Sequence, residues 1–369
     1  MMKKQSGDLL SDLAIKAFTH IDPLQGEQYE GGFKDGKKEG FGKIKYANGS
    51  VYIGEWRNDQ KEGKGKFIYA DGGSYEGEWK NNKAEGKGIS IWNDGNTYEG
   101  EFKNHQMEGK GKHVWANGDI YVGEYKNNKK DGRGRMIYAT GDIYEGEWKE
   151  NHKQGKGKTI YANGNIYEGE CHNGKRHGKG KYVWKNGNIY QGEWRSNKMH
   201  GFGKYVWADG DSYEGYWEEN KKHGKGKRCW KSGKVYEGEY VHDKKEGQGK
   251  CLYANGDLYI GGFLNGKMKG FGKMIYSSSG GRYEGEWHNN VPDGQGIRVW
   301  DNGDVYKGEF KNNKIEGKGI FIKATQGEVY EGLWKDNKKV EGIIDSLISH
   351  FTKNKTLSND LTTPLLTTL

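Results

Sequence analysis

The sequence is poor in the residues that give a globular domain a thick core or a covalent framework. Of its 369 residues, 32% are hydrophobic, three are proline and three are cysteine. Cys171, Cys229 and Cys251 offer neither an even disulfide framework nor metal-ligand spacing, and this pattern is typical of a reducing compartment. We therefore expect a thin, folded chain in the cytoplasm.

Long hydrophobic runs are also missing. No stretch approaches the ~18 apolar residues of a membrane-spanning helix. The first residues, MMKKQSGDLLSDLAIKAF, lack the apolar centre and the cleavage site of a signal peptide. These absences predict a protein that neither enters nor spans a membrane by itself.

Glycines and aromatic residues, by contrast, are abundant and regularly spaced. The chain has 63 glycines and 13% aromatic residues, and a tyrosine recurs every 23 residues from Tyr29 to Tyr259, then at Tyr283, Tyr306 and Tyr330. With this tyrosine numbered repeat position 1, positions 3, 12 and 14 are glycine and position 5 is almost always aromatic. Self-similarity at a fixed period is the signature of a repeat protein.

One repeat, YEGEWKNNKAEGKG at residues 75–88, contains Y-x-G-x-W followed by G-x-G. It resembles the MORN repeat (membrane occupation and recognition nexus), and the resemblance covers thirteen full repeats and a partial fourteenth, residues 29–342. Other MORN proteins carry a kinase domain, a SET domain or a membrane anchor, for which this chain has no room. The resemblance therefore implies a stand-alone MORN protein of the cytoskeleton, similar to the radial spoke head proteins of motile cilia.

Alternation with period two predicts two β-strands in each repeat. Tyr75, Gly77 and Trp79 share a face of the first strand, and Gly86 and Gly88 share a face of the second. We expect position 1 to pair with 16, position 3 with 14 and position 5 with 12, so that rings cover glycines. Cross-strand ladders of Glu and Lys are expected on the opposite face.

The predicted fold is all-β: an elongated, single-layer, twisted antiparallel β-meander with one hairpin per 23 residues. Because 23 is odd, every tyrosine stays on one face only if one turn per repeat has an odd number of residues. A three-residue loop with Gly118 in the left-handed conformation meets this condition. Equivalent positions then recur every second strand.

Short terminal helices are expected to cap the array, because its outer strands expose unpaired backbone groups. In the N-terminal segment, residues 1–28, the residues at helical spacing are Leu9, Leu10, Leu13, Ala14, Ala17, Phe18 and Ile21. In the C-terminal segment, residues 343–369, the corresponding stripe is Ile343, Ile344, Leu347, Ile348 and Phe351. The Thr- and Leu-rich tail after it is predicted to be flexible or to bind a partner as a peptide.

Neither an enzyme nor a cofactor-binding protein is expected, because nearly every Glu, Lys and Tyr is one copy of a repeated position. The GKGK runs lie within strands and lack the signature of a phosphate-binding loop. A net charge of +9 with interleaved aromatic residues would suit nucleic acid, but the lysines alternate with glutamates that repel phosphate. Nucleic acid is therefore not an expected partner.

Position 11 is Glu or Asp in most repeats but His177, His200 and His223 in three successive ones. Equivalent positions are separated by roughly 9.6 Å, so these histidines cannot share one metal ion, and no metal site is expected. A structural turn role is one interpretation of them. The other is a basic edge at which an acidic protein or lipid headgroup docks. The basic edge comprises Lys175, Arg176, His177, Lys198, His200, Lys221, Lys222 and His223.

The aromatic face is a second candidate interaction surface. The residues predicted to line one stretch of it are Tyr167, Trp184, Trp194, Trp207, Trp217 and Trp230. Either a protein partner covers these rings, or packing of the rings on one another and on glycine suffices. The sequence leaves both alternatives open.

The function that the sequence favours is structural. We expect a scaffold for other protein subunits of a large cytoskeletal complex, specifically an axonemal radial spoke head in a cilium. The alternative is a peripheral membrane tether that binds anionic phosphoinositides through the basic edge. Pairing of two chains through the ends of the array is left open.

Overall fold

The computed structural model describes the backbone of residues 18–22 and the whole of residues 26–340. The chain divides into two compact units. The first, N-terminal unit ends at Ala208, and the second, C-terminal unit begins at Asp209. Within these residues both units consist of strands and turns, without helices. The other residues of the two predicted terminal helices, 9–17 and 343–351, lie outside the described part of the chain.

The N-terminal unit contains seventeen strands: β1 Phe18–Asp22, β2 Glu27–Lys34, β3 Lys37–Lys45, β4 Val51–Arg57, β5 Gln60–Ile68, β6 Ser74–Lys80, β7 Lys83–Ile91, β8 Thr97–Lys103, β9 Gln106–Val114, β10 Ile120–Lys126, β11 Lys129–Ile137, β12 Ile143–Lys149, β13 His152–Ile160, β14 Ile166–His172, β15 Lys175–Val183, β16 Ile189–Arg195 and β17 Lys198–Val206.

The C-terminal unit contains twelve: β18 Ser212–Glu218, β19 Lys221–Cys229, β20 Val235–Val241, β21 Lys244–Leu252, β22 Leu258–Leu264, β23 Lys267–Ile275, β24 Arg282–His288, β25 Val291–Val299, β26 Val305–Lys311, β27 Lys314–Lys323, β28 Glu328–Lys335 and β29 Lys338–Lys339. In each unit every strand pairs antiparallel with its neighbours in the chain. The predicted all-β meander is confirmed.

Strand β1 differs from the predicted N-terminal helix. Phe18 and Ile21, assigned to the helical stripe, lie in a strand antiparallel to β2, with Ile21 opposite Gln28. Pairing with β2 satisfies backbone groups that would otherwise stay open at that edge of the sheet. At these residues the array therefore begins with an edge strand.

The predicted pairing of positions 1 with 16 and 3 with 14 is confirmed. In the repeat that starts at Tyr75, this tyrosine lies opposite Ser90, and Gly77 lies opposite Gly88. Ser90 in turn lies opposite Tyr98, the tyrosine of the next repeat. Equivalent positions therefore recur every second strand, as the odd repeat length requires.

The predicted pairing of positions 5 and 12 within one repeat is wrong. Trp79 lies opposite Ala84, and the register shifts between Gly77 and the next residue. Gly86 instead lies opposite Phe102 of the following repeat. Gly86 has a φ of +60°, a left-handed conformation that favours glycine, and it allows the bulge that moves the register.

A carboxylate holds this bulge together. Glu78 Oε1 accepts the backbone N–H of Lys87 at 3.2 Å, and Glu55 Oε1 accepts that of Lys64 at 2.9 Å one repeat earlier. The expected ladder between the side chains at these positions is thus replaced by a bond to the backbone. Such a bond satisfies an N–H that the bulge removes from the strand ladder.

The two turns of each repeat differ. Asn81 and Asn82 both have positive φ, 47° and 63°, and form a tight two-residue turn. In the other turn Gly118 has a φ of +93° and donates its N–H to the Trp115 carbonyl at 2.9 Å. Trp115 also bonds Asp119, which leaves three residues in the loop. The predicted three-residue loop is confirmed.

Candidate functional site

Rings at positions 1 and 5 interlock on one face of the sheet. The Trp79 ring lies edge to face between Tyr52 and Tyr75, with both centroid distances 5.2 Å. The Tyr75 hydroxyl donates to the Glu78 carbonyl at 2.9 Å, and its ring covers Gly88, where an added methyl group would lie 2.5 Å from ring atoms. Rings and glycines therefore form the core of the repeat.

Three of the predicted aromatic-face residues belong to this core. Tyr167 and Trp194 in the N-terminal unit are 0% and 4% exposed, and Trp217 in the C-terminal unit is 5% exposed. Trp184 and Trp207 in the N-terminal unit and Trp230 in the C-terminal unit are half-buried. Of the six, only these last three, at repeat position 18, present ring surface to solvent.

The half-buried rings of the N-terminal unit are part of a larger group, which we call the ring row. Successive centroid distances along it are 5.9, 4.6, 5.2 and 4.5 Å. Its members are Tyr161, Tyr182, Trp184, Tyr205 and Trp207. The three tyrosines were not among the predicted aromatic-face residues, although aromatic residues at position 16 of two successive repeats were a visible signal.

Position 10 places a cation on the aromatic face. Lys61 Nζ lies 4.5 Å from the Phe67 centroid and 5.0 Å from that of Trp79. Burial lowers the pKa of Lys61 to about 8, while Glu27 acts in the opposite direction. Cation–π contact offsets part of the cost of burying such a charge.

Two residues of the predicted basic edge occupy this same position 10. The Arg176 guanidinium lies 4.5 Å from the Trp194 centroid, and Nη2 donates to the Asn197 carbonyl at 2.9 Å. Lys222 is 9% exposed, and its Nζ lies 3.1 Å from Asp243 Oδ1. Both therefore lie on the aromatic face, whereas the prediction placed them at the turn edge. Position 10 has the same parity as positions 12, 14 and 16, which explains the difference.

The other basic-edge residues do lie at the turns. Lys175 and Lys198 in the N-terminal unit and Lys221 in the C-terminal unit are exposed first residues of their strands. His177 is exposed, whereas His200 is half-buried and its Nε2 lies 3.1 Å from Arg195 Nη1. His223 is half-buried, with Nδ1 3.4 Å from Glu218 Oε2.

In other repeats, the position 11 side chain caps a turn of the next repeat. Glu85 Oε2 accepts the backbone N–H of Asn104 at 3.0 Å. The same bond is made by Glu39, Glu62, Glu108, Gln154, Glu246, Asp293 and Glu316. These side chains are therefore structural, and a histidine at position 11 changes the chemistry of the turn.

Aspartates at the opposite edge of the sheet also accept hydrogen bonds from the backbone of the next repeat. Asp119 Oδ1 accepts the backbone N–H of Ala139 at 2.7 Å. Equivalent bonds are made by Asp142, Asp211, Asp257 and Asp304. Their carboxylates therefore join successive turns through the backbone.

A profile of the MORN repeat matches residues 29–51, 52–74, 75–97, 98–120, 121–143, 144–166, 167–189, 190–212, 213–235, 236–258, 259–281, 283–305, 306–328 and 330–341. A search of curated proteins finds no significant match. No helix long and apolar enough to cross a bilayer is found in the part of the chain that the structure describes.

Three solved structures match this chain, but only at low TM-scores. The TCP domain of Drosophila melanogaster SAS-4, in complex with a proline-rich motif of Ana2, is 15% identical, with a TM-score of 0.23 over 49% of this chain and 86% of that one. The TCP10 domain of Danio rerio CPAP is 13% identical, with a TM-score of 0.18 over 66% and 92%. A streptogramin B lyase is 14% identical, with a TM-score of 0.13 over 70% and 86%.

Proposed function

Because the chain belongs to the MORN-repeat family, whose profile spans its array from residue 29 to 341, we propose that it is a non-enzymatic scaffold that holds protein subunits together in the cytoskeleton. The specific assignment that we propose is a component of the radial spoke head in the axoneme of motile cilia. Other axonemal proteins would be its partners, and the cilium its location.

The observation that carries this proposal is the ring row. Most rings on the aromatic face are sealed by their neighbours, as Tyr167 and Trp194 are, with 0% and 4% exposure. Trp184 keeps part of its surface accessible within a run of five touching rings. Large aromatic side chains grouped in this way are the residues that most often dominate the energetics of protein interfaces.

The test combines localisation with one variant. A tagged chain expressed in ciliated cells should remain in axonemes after detergent extraction, and Trp184→Lys should reduce that retention about tenfold. Lysine occurs naturally at this repeat position, at residue 323. Tyr69→Lys is the matched control, because Tyr69 occupies the same position with 45% exposure but lies outside the ring row. Complete release of the wild-type chain by detergent would contradict the axonemal assignment.

A second candidate function is a peripheral membrane tether. It is favoured by the exposed lysines at position 9, including Lys175 and Lys198. It is weakened by Arg176, whose charge lies against the Trp194 ring. Replacing Lys175, Lys198 and Lys221 by Glu should abolish flotation with phosphoinositide vesicles if this function operates, and binding should fade above ~0.15 M salt.

A further inference from the structure

A group of possible metal ligands lies at the turn edge of the C-terminal unit. Glu218 ends β18, His223 lies in β19, and His242 is the first residue of the turn after β20. His223 Nδ1 is 3.4 Å from Glu218 Oε2, and the two imidazole centroids are 5.5 Å apart. One ligand atom from each residue lies within 4.8 Å of the others.

The same three repeat positions hold different chemistry elsewhere. In the repeat that starts at Tyr75 they are Lys80, Glu85 and, in the next repeat, Asn104. There the Asn104 N–H donates to Glu85 Oε2 at 3.0 Å and closes the turn. At the C-terminal site a carboxylate replaces the cation, and imidazoles replace the carboxylate and the amide. The carboxylate that caps the turn in the other repeat is thus replaced here by a group of three side chains that can act as metal ligands.

His223 does not perform the capping role that its position has elsewhere. Among the contacts of the described residues, no bond joins the His242 backbone N–H to the His223 ring. The His223 Nδ1 atom is shielded from solvent and has no well-aligned hydrogen bond, although Glu218 is near. A buried nitrogen with a lone pair and an adjacent carboxylate is suited to a cation.

We infer that Glu218, His223 and His242 bind one divalent transition-metal ion of the zinc class. Imidazole and carboxylate ligands lie about 2.0–2.2 Å from Zn²⁺, so tetrahedral neighbours are roughly 3.4 Å apart. The separation of His223 Nδ1 from Glu218 Oε2 already has this value, 3.4 Å. His242 is exposed, so its ring can rotate to complete the set. The fourth position is left to water or to a ligand from another molecule.

The charge of Lys222 does not oppose this ion. Lys222 precedes His223 in the chain, but its side chain points to the aromatic face. Its Nζ lies 3.1 Å from Asp243 Oδ1 and 5.8 Å from the Tyr213 centroid. The ligand set therefore has the single negative charge of Glu218, which favours a dication over an anion.

The bound ion would join two successive repeats. Glu218 and His223 belong to the repeat that starts at Tyr213, and His242 belongs to the one that starts at Tyr236. A metal ion bound here would replace the hydrogen bond by which the position 11 side chain stabilises the next turn in other repeats. The stability of the turn edge of the C-terminal unit then increases with the logarithm of the free metal concentration once this concentration exceeds the Kd.

The N-terminal unit provides a natural contrast. His172 and His177 have centroids 5.7 Å apart, so they are almost as close as the C-terminal pair. Gln154 Nε2, however, lies 3.1 Å from His172 Nδ1, and the residue equivalent to His242 is Ser196. This pair has no carboxylate in the place of Glu218, and it serves as a matched control.

The experiment is a Zn²⁺ titration of the untagged, chelator-treated full chain against a competing dye. The wild type should bind one ion, and His223→Gln should weaken this binding at least about tenfold, because an amide is a poor zinc ligand. Glutamine occurs naturally at this repeat position, where Gln154 accepts the Asn173 backbone N–H, so His223→Gln should fold without metal. Glu218→Lys and His242→Asn likewise introduce residues that other repeats have at these positions, and they provide independent variants. His177→Gln should bind zinc like the wild type.

Thermal unfolding gives a second readout. Zn²⁺ should raise the Tm of the wild type and of His177→Gln, and leave that of His223→Gln unchanged. Equal zinc affinity in wild type and His223→Gln would overturn the inference, as would a Co²⁺ spectrum with thiolate bands, which would indicate cysteine ligands. If no zinc binds and only the pH dependence of stability changes in the variants, the cluster is a histidine–glutamate ion pair and the metal site does not exist.

Discussion

The two faces of the sheet differ strongly in how far they bury their side chains. On one face the Tyr98 ring is 0% exposed and touches Phe102 and Tyr125 edge to face, at 5.1 and 5.2 Å. On the other face Ile89 is 44% exposed, and Lys66 and Glu76 meet in a solvated pair. The comparison teaches that burial in this single-layer fold comes from rings lying along the sheet. The second face is left to solvent or to partners.

The largest expected effect is an added methyl group beneath a ring. In Gly88→Ala the new Cβ would lie 2.5 Å from the Tyr75 ring, which is fixed between Trp79 and Phe102 at 5.2 and 4.9 Å. Overpacking of this kind should lower the local free energy of unfolding by about 3 kcal/mol. Hydrogen exchange of β6 to β8 measures it.

Ser90→Ala is the control for this change, because it alters the same strand and face without adding atoms. It should leave exchange nearly unchanged. If Gly88→Ala shows the same hydrogen-exchange protection as the wild type, the tyrosine ring does not pack on the glycines. The explanation given for the difference in burial between the two faces would then be wrong.

An intermediate effect is expected from acidification of the aromatic face. His113 is 7% exposed, stacks on Trp115 at 4.0 Å and has no hydrogen-bond partner for either ring nitrogen. Burial, assisted by Lys130, lowers the pKa of His113 to about 4. The unfolded chain therefore binds this proton more readily, and stability should fall as pH drops from about 6.5 to about 4.

The variant His113→Met isolates this effect, since methionine occupies the same position in the next repeat, at Met136. The local stability of β8 to β10 should decline more steeply with acid in the wild type, by about 2 kcal/mol at pH 4. Parallel pH profiles in the two proteins would show that His113 accepts its proton without a penalty.

The smallest effect is expected on the solvated face. Lys66 Nζ lies 3.1 Å from Glu76 Oε2, and the two side chains are 46% and 60% exposed. Replacing both by Ala should change stability by less than ~0.5 kcal/mol, because exposed pairs are screened by water and salt. A change as large as that of Gly88→Ala would show that the two faces do not differ in the way described.

Much of the repeat could be predicted from residue order. Period-two alternation gave the shared face of Tyr75, Gly77 and Gly88, and repeat parity gave the three-residue loop at Gly118, because both follow from local geometry. The bulge at Gly86 could not be predicted in this way. It depends on Glu78 bonding the Lys87 backbone N–H at 3.2 Å, a contact across the hairpin.

The candidate sites were harder to predict. Trp184 was assigned to the aromatic face, where it lies half-buried, but whether a partner covers it was left open. Arg176 was assigned to the turn edge although its parity places it with the rings. The spacing of His177, His200 and His223 excluded a metal ion shared by these three residues. Glu218 and His242 could not be recognised as ligands from residue order, because neither lies at position 11 and their approach depends on the bulge and the tight turn.

Residue order alone establishes that the chain repeats every 23 residues, that each repeat is a hairpin and that tyrosines share one face. Periodicity and parity are local properties of the chain, so they do not depend on how the strands pair with one another. Which repeat each position 5 ring covers, where the position 10 cations lie and which side chains meet at His223 follow only from the packing of strands against one another. These features depend on the register between strands, which the bulge at Gly86 shifts and which no single strand encodes.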